Sequence, residues 1–114
     1  MVPPQAPGAW REITPAELAA RQSAGDAPRI IDVREAHEWA LVRVDGTELM
    51  PLSEINRWWT ELDPEAELVF LCHHGNRSAS VCQALAAEGF ADLLSLAGGI
   101  DAWAVAVDPS LPRY

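Results

Sequence analysis

Cysteine is scarce in this chain. Only Cys72 and Cys82 occur in 114 residues, which excludes the disulfide framework of a small secreted scaffold. Positive charge is also in short supply. Eight Lys and Arg stand against 17 Asp and Glu, for a net charge of −9. Such a chain lacks the basic footprint that a nucleic-acid backbone demands. No apolar run approaches the length of a membrane span. The opening "MVPPQAPGAW" has no basic segment followed by an apolar one, so it does not read as a secretory signal. There is no internal repeat and no low-complexity block. The expected compartment is the cytoplasm, where reducing conditions keep a thiol free.

What is present suffices for one domain. Apolar residues make up 49% of the chain, and a chain of this length buries about two-thirds of its unfolded surface. Residues 1–9 are rich in Pro and read as a flexible N-terminal arm. Residues 10–106 read as the folded domain, and the Pro-containing 107–114 as an irregular C-terminal tail.

"WREI" (10–13) reads as a short strand. "TPAELAARQ" follows with Thr14 as N-cap, Pro15 at the first helical position and Glu17 where a capping box needs an acid. "RIIDV" (29–33) is an apolar strand with Asp32 near its carboxyl end. "REAHEWALVRV" reads as loop with a short helical turn. "TELMPL" (47–52) is a strand stopped by Pro51, and "SEINRWWTEL" (53–62) a helix capped by Ser53. "AELVFLC" (66–72) is a continuous apolar run, as in a strand covered on both faces. "SASVCQALAAEGF" is a helix ended by Gly89. "DLLSL" (92–96) is a last strand, and Gly98 and Gly99 open a last helix. Of the five tryptophans, the adjacent Trp58 and Trp59 cannot both face a core squarely. Short strands alternating with helices give an α/β class with a mainly parallel sheet. Such sheets bind ligands beyond the carboxyl ends of their strands, where Cys72 lies.

"LVFLCHHGNRSAS" (68–80) concentrates the chemistry. After Cys72 the chain must turn from strand to helix within about six residues, and Gly75 and Asn76 tolerate the angles this needs. A loop wrapped that tightly turns successive N–H groups inward, and the helix adds its own free N–H groups and positive dipole end. The result is an anion nest, closed by the permanent cation of Arg77. A nest stabilises thiolate, the nucleophilic form of cysteine. It would also hold an incoming anion, which a chain of charge −9 must attract locally. Cys72 is therefore the candidate nucleophile, with His73, His74, Gly75, Asn76 and Arg77 as candidate substrate-binding residues. The alternative, a buried small side chain, suits Cys82, which shares a helix face with apolar neighbours. Cys72, His73 and His74 are too contiguous for an ordinary tetrahedral zinc site, so no metal is expected. A loop histidine either donates to the thiolate or is plain loop polarity.

Together these residues resemble the rhodanese family over about Trp10 to Trp103. "IDVREAHEW" resembles its strand-end Asp-Val-Arg with a following Glu and aromatic. "LCHHGNRSASVCQALAAEGF" resembles its cysteine loop and helix, and "LAGGIDAW" its closing Gly-Gly-x-x-x-Trp. The resemblance implies a single domain with a mainly parallel five-stranded sheet flanked by helices on both faces. It implies a thiosulfate sulfurtransferase. Cys72 would take sulfur from thiosulfate or a similar small anionic donor, carry it as a persulfide and pass it to a thiol or cyanide acceptor. Asp32, Arg34 and Ser78 would support the site. No cofactor is implied, because the thiolate holds the transferred atom.

One segment departs from the family pattern. Val42 and Arg43 in "VRVDGT" stand where the family has Gly and His. Arg43 is expected to pair with Asp32 in the histidine's place. Two alternatives compete with the enzyme reading. One is a sulfur carrier or partner-binding module within a sulfur-relay protein system. The other is a cysteine-loop phosphatase or arsenate reductase, whose loop places five residues between Cys and Arg. Here only His73, His74, Gly75 and Asn76 separate Cys72 from Arg77. The smaller nest suits sulfur better than a phosphoryl group.

Overall fold

The computed structural model describes residues 9–114; most of the expected N-terminal arm lies outside them. Five strands form one sheet: β1 (Arg11–Ile13), β2 (Arg29–Asp32), β3 (Thr47–Leu49), β4 (Glu67–Leu71) and β5 (Asp92–Leu96). Their order across the sheet is β1-β5-β4-β2-β3, and every pairing is parallel. Four α-helices lie in the connections, α1 (Pro15–Ser23), α2 (Ala36–Leu41), α3 (Ile55–Trp58) and α4 (Asn76–Ala87), and α5 (Gly99–Ala106) follows the last strand.

The alternation of side chains along a strand assigns the two faces. Leu68 and Phe70 of β4, and Cys72 just after it, enter one core with Val81, Cys82 and Leu85 of α4 and Trp58 of α3. Val69 and Leu71 enter the other core with Leu18 of α1 and Ile100 and Trp103 of α5. Covered on both sides, Leu68 through Leu71 are at most 1% exposed. This explains the unbroken apolar run of β4. Among the described residues no helix is long and apolar enough to cross a membrane.

Local signals act as their chemistry requires at the start of α1 and at the end of α4. Thr14 caps α1, and Glu17 completes the capping box. Gly89 takes φ +94° just beyond α4. Residues 52–62 differ from the expected single helix. The short α3 is flanked by 3-10 turns at Leu52–Glu54 and Trp59–Glu61. Ser53 lies inside the first turn rather than at a cap, because its hydroxyl is bound by the Glu35 carboxylate. Trp58 turns into the core, and its indole N–H donates to the Pro51 carbonyl at 2.9 Å. Trp59 packs half-buried at the core's edge.

The connections place the site. The chain leaves β2 for its neighbour on one side, β3, and leaves β4 for its neighbour on the other, β5. The carboxyl ends of β2 and β4 thus form a topological switch point, where open α/β sheets make their ligand crevices. Asp32 pairs in register with Leu71, so Asp32 and Cys72 come to the same edge of the sheet.

Candidate active site

Cys72 follows the last residue of β4 and is 1% exposed. The loop turns at Gly75, whose φ of +102° is a left-handed conformation that favours glycine. This turn aims two amides at the sulfur. Gly75 N–H donates to Cys72 Sγ at 3.1 Å and Ser78 N–H at 3.4 Å. The Ser78 hydroxyl lies 3.5 Å from the sulfur, and 2.7 Å from the hydroxyl of buried Ser95. The amides of His74, Asn76 and Arg77 have no acceptor among the described residues. They remain free donors at the start of α4, where the helix dipole is positive.

The loop is also gripped from behind. Ile100 N–H donates to the Cys72 carbonyl at 2.8 Å and Asp101 N–H to the His73 carbonyl at 3.1 Å. The first amides of α5 therefore fix the backbone on which the thiol sits. Gly99, at φ +63°, permits the close approach, since a Cβ there would collide with both carbonyl oxygens.

Arg77 does not stand as a bare cation over the sulfur. Its guanidinium makes a two-pronged pair with Glu38, NH1 to Oε1 at 2.6 Å and NH2 to Oε2 at 2.9 Å. That pair holds the Glu38 carboxyl far below the usual carboxylate range, with Tyr114 and the Glu35 amide adding hydrogen bonds. The Arg77 pKa is raised for the same reason. Asp32 and Arg34 form a second pair, fully buried on both sides, with NH2 to Oδ2 at 2.8 Å. Arg34 also donates to the Val42 carbonyl at 2.6 Å. A buried charge needs this full set of partners to be tolerated.

The expected pairing of Arg43 with Asp32 is incorrect. Arg34 already saturates Asp32 through its backbone N–H, Nε and NH2. Val42 and Val44 are buried at 7% and 6% exposure. In extended chain the residue between them points the other way. Arg43 accordingly lies exposed, its guanidinium 5.0 Å from the Trp39 ring centroid.

Of the other loop residues, His73 stacks against Tyr114 with centroids 3.9 Å apart and planes within 5°. His74 is exposed and leans on His73. Asn76 is exposed at the first turn of α4. Cys82 lies in the core at 0% exposure, and burial pushes its thiol up to about 12.

A family model described as Rhodanese-like domain matches residues 14–106. The chain belongs to the rhodanese-like family. It is 31% identical over 94 residues to "Thiosulfate sulfurtransferase GlpE" of Pseudomonas fluorescens, covering 82% of this chain and 84% of that protein. It is 38% identical over 104 residues, 90% of this chain, to "Probable adenylyltransferase/sulfurtransferase MoeZ" of Mycobacterium tuberculosis. It is 36% identical over 93 residues, 78% of this chain, to "Rhodanese-like/PpiC domain-containing protein 12, chloroplastic" of Arabidopsis thaliana. The chain spans only 26% and 31% of the length of these last two. The rhodanese-like domain protein of Staphylococcus aureus superposes with a TM-score of 0.77 at 27% identity, covering 93% of this chain and 99% of that one. The parallel five-stranded α/β fold is the one these relatives share.

Inspection of the sequence missed three residues of the rhodanese-like loop's surroundings. Ser95 had a signal, since it is the one hydroxyl in the apolar strand "DLLSL". Glu38 had a weaker one, as the acid in "IDVREAHEW". Tyr114 had none, because nothing local places a Pro-containing tail against a loop some forty residues earlier.

Proposed function

We propose that this chain is a sulfurtransferase that moves a sulfane sulfur from thiosulfate or a similar donor to a thiophilic acceptor through a Cys72 persulfide. The observation that carries the reading is the pair of amides aimed at Cys72 Sγ from Gly75 and Ser78. These donors meet negative charge on sulfur before, during and after transfer without reorganising.

The steps balance. The Cys72 thiolate attacks the outer sulfur of thiosulfate. The new S–S bond forms as the bond to the sulfonate sulfur breaks, and sulfite leaves with that electron pair. The persulfide keeps the transferred sulfur and one negative charge. Cyanide or a thiolate then attacks that outer sulfur, and Cys72 departs as thiolate. The free amides of His74, Asn76 and Arg77 bind the donor's oxygens, helped by the side chains of His73, His74 and Arg77. Asp32, Arg34 and Ser78 hold the loop in shape. The domain proper is 10–106, and the cytoplasm is its place of work.

A phosphatase reading is disfavoured by the same geometry. The four-residue spacing leaves a small nest, and Glu38, bound by Arg77, is not free to protonate a leaving alcohol. A protein acceptor is the second reading for the outgoing sulfur. It is favoured by the match to MoeZ, whose name joins adenylyltransferase to sulfurtransferase.

Steady-state thiocyanate formation from thiosulfate and cyanide tests the proposal. Wild type and Cys82→Ser turn over, and Cys72→Ser does not. Turnover that survives Cys72→Ser, or none in wild type with any sulfane donor, overturns it.

A further inference from the structure

The tail returns to the cysteine loop, and its last side chain joins two ion pairs. Leu111 packs against the core that contains Trp103. Arg113 grips Asp101 of α5, Nε to Oδ1 at 2.8 Å and NH2 to Oδ2 at 3.1 Å. These contacts deliver Tyr114 to the site. Its hydroxyl donates to Glu38 Oε2 at 2.7 Å and accepts from Arg34 NH1 at 3.0 Å. One phenol thus bridges the buried Asp32–Arg34 pair at the end of β2 and the Glu38–Arg77 pair that reaches the loop. Its ring covers the face of His73 at 3.9 Å. His73 Nε2 is buried without a hydrogen-bond partner, so the stack, and no bond through that nitrogen, sets the ring.

We infer that Tyr114 is a positioning residue for the donor anion: its hydroxyl orders Arg77 through Glu38, and its ring orders His73 directly. This rests on the sulfurtransferase reading of the same loop. Among the described residues, Glu38 Oε2 receives only Arg77 and Tyr114. Without the phenol, that oxygen and Arg34 NH1 each lose a partner, and the carboxylate gains freedom to rotate with Arg77 attached. Looser donors bind ground state and transition state equally less well, which raises KM and spares kcat. Tyr114 is 41% exposed and belongs to neither core, so its replacement leaves the fold standing.

Two substitutions separate its two contacts. Tyr114→Phe keeps the stack and removes the hydroxyl. Tyr114→Leu removes both. The expected result is a rise of about fivefold in KM for thiosulfate in Tyr114→Phe, the order of one ordinary net hydrogen bond, since the phenol acts on Arg77 only through Glu38. A larger rise follows in Tyr114→Leu. In both, kcat stays within about twofold and the melting temperature within a few degrees. Unchanged KM in both variants overturns the inference. So does a fall in kcat alone, or a loss of thermal stability with unaltered kinetics. A wild-type chain that forms no persulfide defeats the sulfurtransferase reading instead, and that result is visible before any variant is made.

Discussion

Glu38 carries more of the site than its place on a six-residue helix suggests. It takes two bonds from Arg77, one from Tyr114 and one from the Glu35 amide. Its carboxyl is held far below the ordinary glutamate value of 4.5. A carboxylate with a depressed folded value stabilises the protein fully above the unfolded value, and loses that stabilisation as pH falls towards the folded one. Urea denaturation of wild type and Glu38→Gln checks this. The difference in stability is full at about pH 7 and shrinks at about pH 3. A difference that is the same at both contradicts the pairing. At this scale the sequence marked the loop well. Cys72, Gly75 and Ser78 meet where the motif puts them. Glu38 was only weakly legible and Tyr114 not at all, because Arg77 and Tyr114 reach Glu38 from 39 and 76 positions away in the chain.

The cysteine loop owes its shape to elements on both sides. β4 delivers the thiol to the sheet edge, α4 supplies amides in front, and the first amides of α5 hold the Cys72 and His73 carbonyls behind. Gly99 is the hinge of that contact. Gly99→Ala therefore displaces the loop backbone. It lowers stability by about 2 kcal/mol and sulfur transfer by about 100-fold, the order that follows from small misplacement of a reacting group. Gly25→Ala is the control. Its φ of +72° carries similar backbone strain, but nothing lies within 4 Å of its Cβ, and its activity stays at the wild-type level. Equal losses of activity in both would place the effect in general destabilisation. Strands and long helices were legible because caps and apolar runs are local. The 52–62 segment was not, since Glu35 captures Ser53 from outside it. The outward turn of Arg43 was written in the alternation of Val42 and Val44. The analogy to a histidine hid it.

The whole molecule is acidic, and its cations are largely committed. Among the described residues, seven arginines pair with carboxylates: Arg11, Arg21, Arg29, Arg34, Arg57, Arg77 and Arg113. Arg43 lies over Trp39. On the proposed function, a chain of net charge −9 thus meets its anion chiefly with the N–H groups of one loop and the dipole of one helix. The sheet topology brings those groups to the switch point, and the thiol lies among them. In the proposed reaction Cys72 becomes charged with sulfur there. The most direct measurement is the intact mass of the reduced protein after incubation with thiosulfate and removal of excess reagent, beside Cys72→Ser. The expected result is a gain of one sulfur atom in wild type, absent from the variant and discharged by cyanide. An unchanged wild-type mass with every sulfane donor, or a gain that persists in Cys72→Ser, would contradict it.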